Sequence, residues 1–410
     1  MRRSLLLLFV TASIITVIVL QPSPTTTAQP TTPSELAGQL HVVDAGQYPD
    51  LHAALAAVPE TGGLLQVPPG TFEIDRPLEF HGENLLITGA GPATRIINTN
   101  EEGQPTIRIV PSGAFDRKAT GNQRRFRWRI QITNLHLTGN PECGHGIDAV
   151  WVNEIQLENL SITAHGGDGI FLDHCYEDPR IHDCLLTYNR KCGLRLLGCH
   201  DIIVSANQFE ENHDALQCLD SFNLCMTGNN LDDHLGHGVI IENTYGSVVS
   251  GNMIEECQGT AIILDRDCYG DTISSNVIAH NGSGIDLIDA HGCSISANTL
   301  TIMKTTALHI GPGSGRITVT GNNFSNSYLG GGKVRRSEND RSAGGVWLEQ
   351  TSDISITGNV FTGLSEPAIR QSDPPSRRIT LVGNIFEDVT RGSRRFQDSI
   401  QEANIEPSQD

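Results

Sequence analysis

The sequence predicts an all-β fold: a single-stranded right-handed parallel β-helix of about 11 or more coils with a short N-terminal capping helix. First, one short pattern recurs between Ile132 and Phe386 with a period near 23 residues. Second, the pattern places apolar residues two apart, which marks short strands with one buried face. Third, the same region has no stretch of helical periodicity. A fixed period of this length indicates stacked supersecondary units that bury apolar faces only against their neighbours.

Each repeat has two recognisable halves. One half is Gly or Ala, an apolar residue, any residue and an apolar residue, beginning at Gly146, Gly169, Gly193, Ala215, Gly238, Ala261, Gly284, Ala307, Gly345 and Ala368. The other is an Asn column at Asn134, Asn159, Asn207, Asn229, Asn252, Asn276, Asn298, Asn322, Asn359 and Asn384, with Asp183 in the one vacancy. Asn tolerates the left-handed backbone of a tight turn, and stacked amides hydrogen-bond along a rod. We therefore predict that this column is structural.

The start of the chain has the pattern of a targeting signal. Two arginines precede an apolar run from Leu5 to Leu20, and small residues end at Ala28. We predict a signal peptide over residues 1–28, with an uncleaved membrane anchor as the alternative. Residues 29–40 are rich in Thr and Pro and are predicted to be a linker. We accordingly expect a protein that is secreted, periplasmic or at the cell surface.

The first coils carry a specific family resemblance. Residues 51–58 are rich in Ala with apolar residues at helical spacing, which predicts a short helix over the first coil. Residues 62–72 and 85–91 then read GGLLQVPPGTF and LLITGAG. This run resembles the N-terminal cap and first coils of pectate-lyase-like right-handed β-helix proteins. The resemblance implies one β-helix domain over residues 41–390, followed by a C-terminal cap or tail over residues 391–410.

Composition limits the partners. The net charge is −19, from 28 basic and 47 acidic residues, which disfavours nucleic-acid binding. We expect a monomer without membrane contact beyond the N-terminal segment. Ten cysteines are present, and the pairs Cys175/Cys199 and Cys268/Cys293 are one period apart. Each pair is expected on adjacent coils, so each is a candidate disulfide.

The outward-facing residues are the candidates for chemistry. In each apolar half, the residue between the two apolar positions points to solvent, which gives Asp148, Phe171, Arg195, Gln217, Ile240, Ile263, Asp286, His309, Trp347 and Arg370. The position before each Gly or Ala adds His145, Asp168, Asp214 and His237, and Lys191 and His213 precede it by one more residue. Acid, base and cation types crowd the first five of these coils and thin out later, so we predict the site in the first half of the rod. Two Asp/His neighbours, His145 with Asp168 and Asp214 with His237, are predicted pairs that orient an imidazole.

Two basic stretches stand out in this acidic chain. Residues 117–129 include Arg124 and Arg125, and a coil with extra length between Asn322 and Asn359 includes Arg335 and Arg336. Long loops on a rigid scaffold often carry binding, and arginines bind carboxylates with two hydrogen bonds. We predict that these arginines bind substrate.

An acidic polysaccharide suits this combination. Arg195 and Lys191 are the candidate neutralisers of a uronate carboxylate, or acids; His213 or His237 is the candidate base, oriented by Asp214. Asp148, Asp173 and Gln217 are candidate substrate contacts, and Asp168 with Asp173 are candidate calcium ligands. Such a site resembles those of uronan lyases and mannuronan C5-epimerases of this fold.

Two alternatives stay open. Asp232-Asp233 and Gly236-His237-Gly238 faintly resemble polygalacturonases, which are glycoside hydrolases and need two carboxylates about the scissile bond. The other alternative is a non-catalytic rod that binds glycan or packs at the cell surface, because a fold alone does not determine function.

Overall fold

The computed structural model describes residues 41–326 and 342–406. The predictions for residues 1–28 and 29–40, and for Arg335 and Arg336, therefore lie outside the described residues. Within them the chain forms a parallel β-solenoid whose strands pair with the equivalent strand of the next coil. This architecture confirms the predicted fold class.

One side of the rod is a 12-stranded parallel sheet, here called the narrow sheet. Its strands are β4 Leu78–Phe80, β7 Ile107–Ile109, β10 Ile147–Val150, β13 Ile170–Asp173, β16 Cys192–Leu197, β19 Asp214–Leu219, β22 Val239–Glu242, β25 Thr260–Asp265, β29 Ser283–Leu287, β33 Leu308–Ile310, β36 Val346–Leu348 and β39 Ile369–Gln371. Ten of these strands hold the Gly/Ala-apolar repeat, which explains the period seen in the sequence.

The remaining sides form a 28-stranded sheet, here called the wide sheet. Its strands in the first half are β1 Val42–Asp44, β2 Gly63–Gln66, β3 Gly70–Ile74, β5 Leu85–Thr88, β6 Thr94–Asn98, β9 Ile130–Thr138, β12 Gln156–Thr163, β14 Arg180–His182, β15 Leu185–Thr187, β17 Ile203–Ser205, β18 Gln208–Glu210, β20 Cys225–Thr227 and β21 Asn230–Asp232. In the second half they are β23 Val248–Ser250, β24 Met253–Glu255, β26 Cys268–Tyr269, β27 Thr272–Ser274, β28 Val277–Ala279, β30 Ala290–His291, β31 Ser294–Ser296, β32 Thr299–Thr301, β34 Gly315–Thr320, β35 Asn323–Ser325, β37 Ser352–Thr357, β38 Val360–Thr362, β40 Arg377–Val382, β41 Ile385–Glu387 and β42 Ile400–Glu402. A third, two-stranded sheet joins β8 Arg127–Trp128 to β11 Val152–Asn153.

The predicted N-terminal helix is present and short. It spans Leu51–Ala56, with the Asp50 side chain accepting the backbone N–H of Ala53 and Leu51 and Leu55 buried. Burying this apolar face closes the first coil, as the end of a solenoid requires. Three further single turns of 3-10 helix lie at Ala45–Gln47, Gly91–Ala93 and Gly121–Gln123. None of the helices in residues 41–326 and 342–406 is long and apolar enough to cross a membrane.

The core is a set of like-on-like columns along the rod axis. Phe324, Phe361 and Phe386 stack with ring centroids 4.7 and 5.1 Å apart and nearly parallel planes. The separations match the rise between parallel strands, about 4.8 Å. A side chain in this core therefore packs mainly on its equivalents one coil away.

The Asn column is structural, as predicted, but it begins later than the sequence indicated. From Asn207 onward each Oδ1 accepts from the previous coil; Asn252, for example, accepts from the backbone N–H and Nδ2 of Asn229 at 3.0 and 2.9 Å. Asn134 and Asn159 instead occupy left-handed turns with φ of 59° and 49°. They align with the residue before each ladder Asn.

The prediction that Asp183 fills the vacancy is accordingly wrong. Cys184 occupies that level of the ladder, because its backbone N–H donates to Asn207 Oδ1 at 3.0 Å. Asp183 sits one residue earlier, in the left-handed turn, with φ of 55°. The sequence pattern merged two adjacent columns into one.

The predicted disulfides are absent. All ten cysteines are free thiols, and Cys175, Cys199, Cys268 and Cys293 are all buried. Cys199 lies beside Cys175, and burial together with that thiol raises the pKa of Cys199 well above its ordinary value. These thiols therefore act as small core side chains.

The first basic stretch folds back as an arm, defined here as residues 111–129. Its strand β8 pairs with β11, and Phe115 packs edge-on against the buried Trp151 at 5.5 Å. Phe126 contacts Tyr176 at 5.1 Å. The arm is thereby fixed over one edge of the coils that carry β10 and β13.

Candidate functional site

The row of outward residues on the narrow sheet has the predicted register. Consecutive pairings join Asp148 to Phe171, Phe171 to Arg195, Arg195 to Gln217 and onward through Ile240, Ile263, Asp286, His309, Trp347 and Arg370. We call these residues the outward row. Because each step is one coil, side chains that are 23 residues apart in sequence are direct neighbours in space.

Several side chains that precede a Gly or Ala of the repeat accept a hydrogen bond from the backbone of the next coil. Asp214 Oδ1 accepts the backbone N–H of His237 at 2.7 Å, and His237 Nδ1 accepts that of Thr260 at 2.9 Å. His145 Nδ1 accepts from Asp168 N–H at 3.0 Å in the same way. The predicted orientation of the His237 ring by Asp214 is therefore wrong: Asp214 binds the His237 backbone.

His213 has the Asp partner instead. Its Nδ1 lies 3.2 Å from Asp214 Oδ2, and its side chain is 57% exposed. The Asp214 carboxylate is buried and also accepts from Gln217 Nε2 at 3.0 Å. Because Nδ1 lies next to Asp214, Nε2 is the ring nitrogen of His213 that is available to solvent or substrate.

The other His–Asp neighbours form the predicted contact. His145 Nδ1 lies 3.2 Å from Asp168 Oδ2. Burial alone would raise the pKa of Asp168, but the adjacent His145, then the backbone N–H of Cys192 and more weakly Arg195, lower it below its ordinary value. Asp168 is therefore a buried anion, and Arg195 lies close enough to affect it.

Within the described residues, Arg195 is a partly buried cation without an ion pair or a hydrogen bond. Its guanidinium carbon lies 5.5 Å from the centre of the Phe171 ring, and its Nε lacks a hydrogen-bond partner within the described residues. An unpaired guanidinium held on an aromatic ring is suited to bind a carboxylate in bidentate fashion.

The structure brings Lys191 and His213 together on adjacent coils. The backbone N–H of His213 donates to Lys191 O at 2.9 Å, and both side chains are exposed. Arg195 and Gln217 are paired in the same two strands, four residues further along each. The Gln217 amide reaches back to Asp214 Oδ2, beside His213. Arg195 lies on the same face, four residues or roughly 13 Å along the strand from Lys191.

Asp148 and Asp173 were predicted to contact substrate, but both are buried. They are 2% and 3% exposed, and Arg117 of the arm donates to both carboxylates. Asp173 also accepts from His174, and Arg108 Nε lies 3.6 Å from Asp148. These carboxylates hold the arm in place rather than contacting substrate. The sequence gives the direction of a side chain, but not which segment covers it.

The carboxylates of Asp168 and Asp173 do not form a cation site. Asp168 Oδ1 accepts from Cys192 N–H at 3.0 Å, and Asp173 is bound by Arg117 and His174. Groups of carboxylate and imidazole ligands within 4.8 Å of one another occur elsewhere in the described residues, at Glu255, Glu256, His280 and at Asp232, Asp233, Glu256. Prediction of calcium at Asp168 and Asp173 is therefore not supported.

The basic stretch contributes less free charge than the sequence indicated. Arg124 donates to the Tyr176 hydroxyl and to Ala119 O. Arg125 is exposed and donates to Ala114 O at 3.1 Å. Only Arg125 of the two predicted arginines therefore presents its side chain to solvent.

A second cluster on the outward row was missed. His309 Nδ1 lies 2.7 Å from Asp286 Oδ1 and its Nε2 lies 3.1 Å from Glu349 Oε2. The ring also stacks on Trp347 with centroids 4.4 Å apart. Asp286 and His309 are direct neighbours in the outward row, so the sequence carried this signal. Glu349 follows Trp347 by two residues and completes the cluster.

Comparison with known proteins agrees with this architecture. A family model described as right handed beta helix region matches residues 145–324 and 261–406. The mannuronan C-5 epimerase AlgE6 A-module of Azotobacter vinelandii is 14% identical, with a TM-score of 0.54 over 90% of this chain and 100% of that chain. The PL6 family alginate lyase AlyGC is 12% identical, with a TM-score of 0.54 over 88% of this chain and 53% of that one.

A bacteriophage tailspike protein has the same TM-score as these two enzymes. Tailspike protein 3 of bacteriophage CBA120 is 12% identical, with a TM-score of 0.54 over 81% of this chain and 59% of that chain. Identities this low show a common fold alone. No curated protein matches the sequence. The family-model match covers more than half of the chain, and on that basis the chain belongs to the right-handed β-helix family.

Proposed function

We propose that this protein is a carbohydrate-active enzyme that removes the C5 proton of a uronate residue in an acidic polysaccharide, as a lyase or C5-epimerase. The observation that carries the proposal is the presence on one face of Arg195, which has no ion-pair partner within the described residues, and of the exposed His213, whose Nδ1 lies 3.2 Å from the buried Asp214. An acid–base site of this kind needs a cation for the carboxylate and a base for the adjacent proton. The epimerase and lyase among the structural neighbours act on polymers of that type by name, which supports the substrate class.

The roles follow from the hydrogen bonds. Arg195 pairs with the uronate carboxylate and so acidifies the C5 proton. His213 Nε2 accepts that proton, because its Nδ1 faces Asp214. His237 is a donor in its neutral form: Nδ1 accepts from Thr260, which leaves the proton on Nε2. His237 or the exposed Lys191 then supplies a proton, to the leaving 4-linked oxygen in a lyase or to the opposite face of C5 in an epimerase.

The test is an assay of the purified protein on mannuronan, pectate and glycosaminoglycans. Unsaturated-uronate absorbance indicates a lyase, and C5–H exchange without absorbance indicates an epimerase. In the active case, His213→Ala is expected to lower turnover by about 10²–10⁴-fold. Arg195→Ala is expected to abolish turnover with the fold intact, because the side chain projects from the outward row and does not fill the core.

A matched control exists on the other sheet. His182 Nδ1 lies 2.9 Å from Asp183 Oδ2, so it forms the same kind of pair on the wide sheet. His182→Ala is expected to keep wild-type turnover. Equal losses in His182→Ala and His213→Ala, or full activity in Arg195→Ala, would place the reaction elsewhere.

A non-catalytic glycan-binding rod is the second candidate. The observation that favours it is that His145, Asp168, Asp214 and His237 all accept backbone N–H groups of the next coil, which gives them a structural role. Silence in the absorbance, reducing-end and exchange assays, together with measurable binding of a uronan, would select this function.

The hydrolase alternative has less support. Asp232 ends a strand of the wide sheet, and Asp232 and Asp233 lie with Glu256 there, apart from the face that carries Arg195. Release of reducing ends without absorbance would nevertheless assign a hydrolase. Export and the monomeric state belong to this proposal, and export is supported by the basic and apolar pattern of residues 1–28.

A further inference from the structure

We propose that Asp286, His309, Trp347 and Glu349 form a distal subsite, which binds a non-reacting sugar residue of the same polysaccharide chain that occupies the reaction centre at Arg195. The inference rests on the proposed function and adds a second contact point to it. The two places lie on one continuous row, so an extended chain along the rod axis passes both.

The spacing is set by the coils. Arg195, Gln217, Ile240, Ile263, Asp286 and His309 follow one another in five pairing steps. At about 4.8 Å per step the two places are roughly 24 Å apart. One sugar residue of an extended 4-linked chain is comparable in length to one coil step, so the separation corresponds to about five residues of polymer.

The cluster is ordered without a ligand. Contacts on both ring nitrogens and the stack on Trp347 fix the imidazole of His309 from three sides. Burial alone would lower the pKa of His309, but the hydrogen bond and charge of Asp286, and then those of Glu349, raise it. Preorganised groups lose little conformational entropy when a ligand binds.

The charges indicate which part of a sugar the subsite recognises. Two carboxylates surround one imidazolium, so these three groups together carry a net negative charge. Arg370 is the next residue of the outward row, and its Nη2 donates to Thr306 Oγ1 at 3.1 Å. Carboxylate oxygens accept hydrogen bonds from hydroxyl groups, and the partly exposed Trp347 ring offers an apolar surface. The subsite therefore contacts the hydroxyls and the C–H face of a sugar residue, whereas Arg195 contacts a carboxylate.

The stretch of the outward row between Arg195 and the distal subsite offers few specific contacts for a sugar. Ile240 and Ile263 are the outward residues there, and both are partly exposed. Glu242 and Asp265 lie two residues further along the same two strands and are also partly exposed. As carboxylates they repel a uronate and do not hold it. Sugar residues over this stretch are therefore held mainly by the two ends, so only a chain long enough to span both gains the second contact.

The test measures affinity as a function of chain length. All proteins carry His213→Ala, so that the ligand is not consumed, and oligomannuronates of three and ten residues are titrated by calorimetry. Removing the stacking surface with Trp347→Ala is expected to reduce the affinity ratio of decasaccharide to trisaccharide by about tenfold. Because the distal contacts are not carboxylate contacts, this reduction should be the same at low and high salt.

The matched control is Tyr269→Ala, which removes an exposed aromatic ring from the wide sheet. It should keep the parent ratio, and thermal melts should verify that both variants fold. An unchanged ratio in Trp347→Ala, or an equal loss in Tyr269→Ala, would overturn the distal subsite. If Trp347→Ala lowers the affinity ratio but the wild-type protein shows no turnover, the distal subsite stands and the proposed enzymatic activity fails. A parent that binds neither oligosaccharide would reject both.

Discussion

At the scale of single residues, the polar side chains inside the rod differ in how fully the coil above or below satisfies their hydrogen bonds. The ladder Asn residues are satisfied at both amide groups. Asp271 is satisfied only in part. Its Oδ1 accepts from Ser247 N–H at 2.7 Å, whereas Oδ2 is buried without a partner within the described residues.

The pH dependence of stability follows from Asp271. Burial raises its pKa to about 6, against an ordinary value of 3.8. A raised pKa of an acid means that the folded state favours the neutral form, so stability falls as the pH rises from 3.8 through 6. The full penalty is on the order of 3 kcal/mol above that range.

Asp271→Asn should therefore raise the free energy of unfolding by on the order of 1–3 kcal/mol at pH 7. The gain should disappear below about pH 4, where the carboxyl is neutral in both states. Denaturant melts at the two pH values measure this, with the exposed Asp267→Asn as control. Equal gains at both pH values would mean that ionisation is not the cause.

Residue-scale roles were the hardest to predict. The outward row was read correctly, since strand alternation fixes the direction of every second side chain. Its covering by the arm could not be read, because the contact between Arg117 and Asp173 joins residues 56 positions apart outside the repeat. The two contacts of Asp214, with the His237 backbone and with the His213 ring, could not be predicted either. Hydrogen bonds from a side chain to the backbone do not change the repeat period of the sequence.

At the scale of elements, two structures hold the coils in register: the Asn ladder inside and the arm outside. The ladder was predicted from the sequence because its period equals that of the strands. Its lower end was misplaced, since Asn134 and Asn159 resemble ladder residues in spacing and chemistry but occupy the adjacent left-handed turn.

Asn252→Ala should cost on the order of 1–3 kcal/mol, because the buried backbone N–H of Asn229 loses its acceptor and Asn276 Oδ1 and Met226 O each lose a donor. Ligand preference should not change. Asn134→Gly, in the partly exposed turn, serves as the control, because glycine keeps the left-handed backbone accessible, and it should cost less than about 1 kcal/mol. Similar melting temperatures for the two variants would contradict a buried ladder.

The arm depends on one arginine. Arg117 neutralises the buried carboxylates of Asp148 and Asp173, so Arg117→Ala leaves two buried charges with fewer partners. Breaking such a pair should cost about 3 kcal/mol, and the arm should become accessible to protease. Arg125→Ala, on the same arm but exposed, should leave both melting and proteolysis unchanged. A protease-resistant Arg117→Ala variant would show that Phe115 and Phe126 hold the arm alone.

At the scale of the whole molecule, stability is a sum over neighbouring coils, so a complete coil is a removable unit. Deleting residues 240–262 joins Val239 to Ile263 and keeps the order Gly, apolar, any, apolar across the junction. The shortened protein should retain its β-sheet circular dichroism and melt at a somewhat lower temperature. A wholly unfolded product would mean that the coils are not independent units.

The same deletion tests the two binding places together. It moves the cluster at His309 about 4.8 Å closer to Arg195. The shortest oligosaccharide with full affinity should therefore become about one residue shorter. An unchanged length requirement would show that the chain does not run along the axis between them.

Two binding places on one rod select the length of the ligand, and that length is counted in coils. The five pairing steps from Arg195 to His309 fix the minimum chain length in whole units, since a fraction of a coil cannot be inserted without breaking the register of every strand above it. In-frame duplication of a coil within the gene would thus lengthen the preferred polymer by a discrete increment while leaving the side chains at either end untouched. The number of coils between the two places therefore determines the preferred polymer length. That number changes when a coil is duplicated or deleted by recombination, and not when a single residue is substituted.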